Sequence, residues 1–247
     1  TSHKPMTELY QAIDQNPKIK KSFIGSGIRY DMLVPEFNKN ADPKELDDYT
    51  EEVLTKHVSG RLKVAPEHTS DPVLKLMRKP SFSYFHEFKK TFDKINLRKK
   101  LNLQLIPYFI SNHPESQLED MANLAAETKD MGFKLEQVQG FTPTPMTVAT
   151  VIYYSGYHPY TLKKAYVPKS KKEKEEQHRF FFWYKKENQG WIRNTLQKVG
   201  RSDLIERLLP PEIKGKQKTE PKKGKPGSPK EGYTSILKNK KNGVTKK

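Results

Sequence analysis

Residues 61–77 read RLKVAPEHTSDPVLKLM, and this stretch decides the fold. Arg61 to Pro66 is a short, largely apolar run that reads as a strand. Ser70-Asp71-Pro72 then opens a helix that carries Val73, Leu74 and Met77. Strand passes to helix through a polar loop, Glu67-His68-Thr69.

The same unit repeats on both sides. A helix over Met6–Ile13 comes first, followed by a β-rich run at Ile19–Ile28 (IKKSFIGSGI) that ends in glycine and serine. Asp42-Pro43 opens the next helix: Asp42 caps, Pro43 suits the first turn, and Glu45 completes a capping box. Leu46, Tyr49, Val53 and Leu54 give that helix an apolar face, and Gly60 ends it. After the central unit, Ser81 caps a longer helix. Its Phe85, Phe88, Phe92 and Ile95 recur at spacings of three and four, the period of one buried helical side.

Leu103–Ile110 (LQLIPYFI) reads as a third strand, and its Pro107 argues for an edge or irregular position. Ser116 with Glu119 forms a further capping box before a helix lined by Leu118, Met121, Leu124, Ala125 and Met131, and Gly132 stops it. Leu135–Phe141 reads as a fourth strand. The loop Thr142–Pro145 and a helix through Ala149 and Tyr153 follow. Four such alternations with short connections predict a parallel α/β sheet with helices outside and right-handed crossovers. Periodicity leaves an open sheet and an arc of a barrel as alternatives.

Past Tyr160 the composition changes. Lys169–Glu176 (KSKKEKEE) mixes acid and base as a solvated helix start does, and Phe180-Phe181-Phe182-Trp183-Tyr184 follows directly. Trp191, Leu196, Val199, Leu204 and Leu208 support two short helices, giving a helical appendage over 165–211. Its aromatic run suits packing against a neighbour, and stacking on bases is the other use for such rings. From Glu212 to Lys247 the chain holds twelve Lys, no Arg and three Glu, so +9 of the overall +17 sits in a Gly/Pro/Lys-rich tail. Such a segment has too little apolar surface to offset its ordering entropy and is expected to be disordered. It either solvates the chain or makes weak electrostatic contact with RNA, ribosomes or anionic surfaces.

Composition also excludes. No run approaches the ~18 apolar residues of a membrane span. Thr1–Pro5 lacks the apolar core of a signal peptide, which fits a cytoplasmic location. Cysteine is absent from all 247 residues, so this chain supplies no disulfide, no thiolate nucleophile and no cysteine-ligated metal cluster.

In parallel α/β folds, ligands meet the loops after the strands. Four clusters lie there: Gly25-Ser26-Gly27 with Arg29, Tyr30 and Asp31; Pro66 to Ser70; Ser111 to Ser116; and Gln137 to Pro145. Each is polar or rich in glycine and proline, and four converging loops suggest a ligand mouth. Each also has a plainer use. Gly-Ser-Gly lacks dinucleotide spacing and turns a chain, Glu67 and His68 suit a helix start, and His113 suits a cap beside Pro114. His68, His113 and His158 show no local metal-ligand spacing. No catalytic triad or paired carboxylate set declares itself, so no residue is assigned a catalytic role.

At these four clusters the chain resembles the YgiQ-like radical S-adenosylmethionine (SAM) family. The matching stretches are KKSFIGSGIRYDML (20–33), HVSGRLKVAPEHTSDPVLKLMRKPSFSYFHEF (57–88), LIPYFISNHPES (105–116) and QVQGFTPTPMTVATVIYYSG (137–156). Residues 69–77 also look like a Gly-Ser-Asp-x-Val-Leu-x-x-Met stretch of the methylthiotransferases. The resemblance implies a partial (βα)₆ barrel, with residues 1–164 carrying the last four of six parallel strand-helix units. Residues 165–211 then form the helical C-terminal appendage and 212–247 the Lys-rich tail.

It further implies that the parent protein holds a [4Fe–4S] cluster through an upstream C-x-x-x-C-x-x-C segment, and that reduction by the cluster cleaves SAM to a 5′-deoxyadenosyl radical. By that carry-over, Ser26 and Arg29 sit near the SAM carboxylate or the substrate. Glu67, His68 and Thr69 lie near its ribose. Asn112, His113, Gln139, Phe141 and Thr142 border adenine and the pocket mouth. Two departures matter. Thiolate ligands for the cluster are missing from this chain, so it is expected to be inactive alone. Glu115 also stands where the family usually has glycine, and is expected to crowd or repel a ligand carboxylate. The alternative reading is a non-catalytic RNA- or ribosome-binding module. A barrel lacking two strands would also expose an open parallel edge near Ile19, inviting association.

Overall fold

A computed structural model describes residues 2–211. The elements in chain order are α1 (Lys4–Asp14), α2 (Pro43–Lys56), β1 (Arg61–Glu67), α3 (Asp71–Leu76), α4 (Ser83–Arg98), β2 (Gln104–Ser111), α5 (Leu118–Asp130), β3 (Val138–Gly140), α6 (Val148–Ser155), α7 (Lys171–Arg179), α8 (Lys186–Lys198) and α9 (Asp203–Leu208). The three strands form one parallel sheet in the order β1-β2-β3. The α/β class with parallel pairing is thus as read from the sequence.

The strands alternate. Leu62 and Val64 of β1 and Leu105, Phe109 and Ser111 of β2 are buried, while Arg61, Lys63 and Gln104 are exposed and Ala65, Glu67, Tyr108 and Ile110 are half-buried. Phe85, Phe88, Phe92 and Ile95 of α4 join the buried set in one core. The aromatic stripe therefore buries one side of α4, as its spacing predicts. The other face of the sheet stays half-open.

The expected first strand is a single parallel bridge, Ile28 to Val64, with the Ile28 N–H donating to Lys63 O at 3.1 Å. Gly25 and Gly27 give this segment no side chains to pack, and glycine weakens a strand interior. Gly27 eases the close approach to β1, since a Cβ there would lie 3.1 Å from the Lys63 carbonyl oxygen. The open parallel edge expected of a strand beginning near Ile19 is not formed, because that run is no strand and only Ile28 of it bridges to β1.

Pro107 is not on an edge: β2 is the central strand. The N–H of Gln104 donates to Gly60 O on the β1 side, and that of Phe109 to Gln137 O on the β3 side. Backbone donors alternate sides along a strand, so position 107 faces β3. Pairing with β3 begins only at Phe109, and the donor that proline lacks has no ladder to join. The fourth strand is also shorter than expected, three residues rather than Leu135–Phe141.

Two caps differ from expectation. Asp42 caps α2 by accepting from the Lys44 N–H at 2.9 Å, but Glu45 turns to Ser2, whose hydroxyl donates to it at 2.6 Å. The capping box of α5 is Gln117 with Asp120 rather than Ser116 with Glu119. Ser116 is fully buried and engaged elsewhere.

The region 165–211 shares the main core. Phe180, Phe181, Ile192, Leu196, Leu204 and Leu208 pack in the same apolar cluster as the sheet and α4. The aromatic run serves burial first: Phe180 and Phe181 are both 0% exposed. The Lys-rich tail expected over 212–247 lies outside the described residues.

Candidate functional site

A cleft of about 580 Å³ opens beyond the carboxyl ends of the strands, where parallel α/β folds receive ligands. Glu67 ends β1, Ile110 and His113 come from β2 and its loop, and Gln139 to Thr142 come from β3 and its loop. Arg78 and Lys79 close one wall after α3, and the start of α6 closes another.

Of the ten residues expected around a cofactor, the cleft brings together Glu67, His113, Gln139, Phe141 and Thr142. It does not gather the others. Ser26 lines a separate hollow of about 310 Å³ with Lys63, Ala65 and Tyr108. Arg29 forms an ion pair with buried Asp31. Asn112 lines a second cleft of about 610 Å³ whose wall is basic, with Lys169, Lys171, Lys174 and Arg179. It is nonetheless close to the first, because a Cβ on Gly140 would lie 3.1 Å from Asn112 Nδ2.

His68 is fully buried and holds the loop. Its Nδ1 accepts from the backbone N–H groups of Thr69 and Ser70, both at 3.0 Å. These donors lie just before α3, whose N-cap is Ser70. His68 therefore holds the turn that leads into the helix. Thr69 takes part through its backbone. With Nδ1 accepting, the ring proton sits on Nε2, which faces Ser116 Oγ at 3.3 Å. Burial, and less strongly the nearby His113, push the His68 pKa down to about 3, so the ring is neutral.

Ser116 passes the link to Gln177 of α7. Its hydroxyl donates to Gln177 Oε1 at 3.1 Å, the Asn112 N–H donates to the same oxygen at 2.8 Å, and Gln177 Nε2 donates back to Ser116 O. Gln177 thus fixes the β2 loop from the far end of the chain. Sequence reasoning missed it, because it sits in a run of charged residues that marks a solvated helix.

Inside the cleft, Glu67 meets Lys79 at 3.4 Å. Burial pushes the Glu67 carboxyl up and Lys79 pulls it part of the way back. Phe141 lies between two rings, His113 at 5.0 Å in an edge-on contact and Tyr153 at 5.7 Å. Burial lowers the His113 pKa, opposed by its bond to the Pro114 carbonyl. Glu67, Arg78, Asn112 and Met146 all have positive φ, at 70°, 57°, 65° and 66°. Left-handed backbone at non-glycine residues costs on the order of 1 kcal/mol each and gathers where loops are shaped for a ligand.

Glu115 does not crowd the cleft. Its φ is +71°, a conformation that glycine adopts freely. The side chain turns to the segment before α7, where Oε1 accepts from the Tyr166 N–H at 3.1 Å and the Glu115 N–H donates to Tyr166 O at 2.8 Å. The expected repulsion of a ligand carboxylate is replaced by a tie between two loops.

These features define a parallel α/β protein with a cleft at the carboxyl ends of its strands. Comparison with known proteins narrows the class. Residues 136–244 match a domain of unknown function, DUF3362. The chain is 58% identical over 207 residues to a UPF0313 protein of Porphyromonas gingivalis, covering 84% of this chain and 33% of that protein. It is 56% identical over 208 residues to one of Bacteroides thetaiotaomicron (84% and 34%), and 38% identical over 205 residues to one of the archaeon Methanosarcina acetivorans (83% and 26%). The chain belongs to the YgiQ-like, UPF0313 family. It spans about a third of the length of the curated relatives it matches.

Proposed function

We propose that residues 1–164 are the last four strand-helix units of a radical SAM barrel, with 165–211 as its C-terminal appendage. In this reading the cleft of Glu67, His113, Gln139, Phe141 and Thr142 binds SAM within a longer cytoplasmic enzyme. The observation that carries it is the half-open face of a parallel sheet with a cleft at its carboxyl ends. Parallel sheets are ordinarily covered on both faces, and a barrel leaves the inner face to side chains and ligand. Ile110 and Glu67, on that face, line the cleft.

The residues suit SAM by chemistry. Phe141 offers a ring face to adenine, the Glu67 carboxylate accepts from ribose hydroxyls, and Arg78 and Lys79 provide cations for the amino-acid carboxylate. Asn112, whose Nδ2 stands beside Gly140, has a buried Oδ1 with no hydrogen-bond partner and offers it as a further acceptor. Volumes of several hundred Å³ are usual for such ligands. Within the complete enzyme, SAM and a [4Fe–4S] cluster supply reductive radical chemistry. The cluster does not fit this chain, whose residues include no thiolate, and its ligands belong to the remainder of the longer protein. What these residues do is bind and orient the nucleoside and keep water from its buried side.

Titration of the chain with SAM, followed by calorimetry, tests the proposal. We expect one site, weakened at least tenfold by Phe141→Ala and by Gln139→Ala with the fold intact by circular dichroism. Binding that ignores both substitutions overturns it.

Among the described residues, the aromatic run does not serve the RNA-binding reading, since Phe180 and Phe181 are completely buried. Among the described residues, no helix is long and apolar enough to cross a membrane.

A further inference from the structure

At the opposite end of β1 from the cleft, Asp14, Glu52 and His57 point their side-chain donors at one another, each within 4.8 Å of the other two. Asp14 is the last residue of α1, Glu52 lies in the last turns of α2, and His57 follows α2 directly. His57 is 1% exposed. Its Nε2 is buried with no hydrogen-bond partner and stands 3.8 Å from both Asp14 Oδ2 and Glu52 Oε1.

The other ring nitrogen fixes the tautomer. Nδ1 lies 3.1 Å from the Ser22 carbonyl oxygen and 2.9 Å from the Ser22 hydroxyl. A carbonyl oxygen only accepts, and the Ser22 hydroxyl has Asp14 Oδ1 at 3.5 Å as its own acceptor, so both Ser22 contacts suit the tautomer with the proton on Nδ1, in which Nε2 presents a lone pair. That lone pair faces two carboxylate oxygens, which also only accept. The Lys56 ammonium reaches Glu52 Oε1 but leaves Nε2 without a donor, and a buried polar atom left unsatisfied is costly. A cation answers all three at once.

We propose that Asp14, Glu52 and His57 form a binding site for a first-row divalent cation, Zn²⁺ or Co²⁺ in character, which clips α1 to α2. One imidazole and two carboxylates make a donor set suited to such ions, with a fourth position left to water. Tetrahedral bonds of about 2.1 Å place ligand atoms about 3.4 Å apart. The two 3.8 Å separations close to that with a few tenths of an ångström of movement. Asp14, at a helix end with its side chain 29% exposed, has that freedom. The Ser22 carbonyl does what outer partners of metal-bound histidines do, holding the ring through its second nitrogen. The Tyr10 ring, stacked on His57 with centroids 4.4 Å apart, shields one face.

One cation is already present. The Lys56 ammonium lies 2.9 Å from Glu52 Oε1 and 4.0 Å from Asp14 Oδ2. It competes for the same oxygens and swings out to solvent when the metal enters, its side chain being 51% exposed. This site is independent of the proposed SAM cleft. It lies at the amino end of the sheet, and its test does not involve SAM.

The test uses the 247-residue chain stripped with EDTA and titrated with Co²⁺, read by visible d–d absorption and by metal analysis after gel filtration. The expected result is one Co²⁺ per chain, displaced by Zn²⁺. Asp14→Asn and Glu52→Gln, at partly exposed positions that leave the core intact, each weaken binding at least tenfold. His57→Gln abolishes the nitrogen-dependent absorption. Lys56→Met binds several-fold tighter. Absence of stoichiometric Co²⁺ binding by the folded chain overturns the proposal, as does undiminished binding in Asp14→Asn and Glu52→Gln. Unchanged or weaker binding in Lys56→Met also overturns it, since Lys56 then does not compete at these oxygens. If His57→Gln fails to fold, the two carboxylate variants decide.

Discussion

His68 Nε2 faces Ser116 Oγ at 3.3 Å inside the protein, and through this contact the loop after β1 is joined to the loop after β2. Both ring nitrogens of His68 are engaged, Nδ1 as acceptor and Nε2 as donor. Protonating the ring would place a second hydrogen against the Thr69 and Ser70 amides, which already donate to Nδ1.

This arrangement makes stability depend on pH in a definite sense. The folded pKa of His68 is pushed down to about 3 by burial, against about 6.5 in an unfolded chain. Between these values the unfolded state binds more protons, so stability rises with pH. The contribution is complete above pH 6.5 and is lost as pH falls, by up to about 1.4 kcal/mol per pH unit. Burial also lowers His113 and His178, and they add slope of the same sign. Urea unfolding at pH 7, 6 and 5 is expected to show this decline. His68→Gln should flatten it by close to one proton's worth, and an unaltered slope in that variant would refute the assignment.

Gln177 is the next member of the same network. It is 1% exposed and satisfies the Asn112 N–H, the Ser116 hydroxyl and the Ser116 carbonyl. Gln177→Ala strands all three in the interior. The expected cost is about 2–4 kcal/mol, since a buried polar group without a partner costs roughly 1–3 kcal/mol and water entering the cavity recovers part. A loss under about 0.5 kcal/mol in chemical denaturation would mean the network is not a structural tie.

What the sequence could reveal here follows from how local each signal is. Phe85, Phe88, Phe92 and Ile95 disclose a buried helix face because the period is written in adjacent turns. The cleft loops are legible because glycine, proline and polar residues end each apolar run. Gln177 is not legible: its burial comes from the Asn112–Ser116 loop, more than 60 residues away in the chain. Ile19–Ile28 looks like a strand because its residues favour extension. A strand also needs a neighbour along its length, and only Ile28 bridges to β1. Pro107 misleads for a similar reason. Its effect depends on where β3 starts, which composition does not record.

The aromatic run supplies a third test. Phe181 is 0% exposed and belongs to the apolar cluster that also holds Phe109 and Leu124. Phe181→Ala opens a cavity where the C-terminal helices meet α5, and is expected to cost about 3–5 kcal/mol. Because one core is shared, the variant should still melt in a single transition followed equally by far-ultraviolet circular dichroism and tryptophan fluorescence. Trp183 and Trp191 both lie on the C-terminal side. A fluorescence transition that runs ahead of the circular dichroism would show the region 165–211 unfolding by itself.

The Glu67–Lys79 pair in the cleft gives the last test. Glu67 closes β1 with φ of +70°, and its carboxyl is pushed up by burial and drawn down by Lys79 at 3.4 Å. Lys79 also donates to the Ala65 carbonyl at 3.3 Å, so the ammonium bridges the strand end and its terminal carboxylate. Lys79→Met removes the attraction and leaves the burial. The Glu67 carboxyl then rises further above its unfolded value. A carboxyl raised on folding stabilises the folded state only while it is protonated, and the stability it contributes is lost as pH rises through the folded pKa. Lys79→Met is therefore expected to cost about 1–2 kcal/mol more at pH 7 than at pH 4. Glu67→Gln in the same background should remove that difference, because a neutral amide has no charge to strand. Equal losses at both pH values would show that Glu67 escapes to solvent when its partner is gone, and would leave the cleft without a buried carboxylate to meet a ligand hydroxyl.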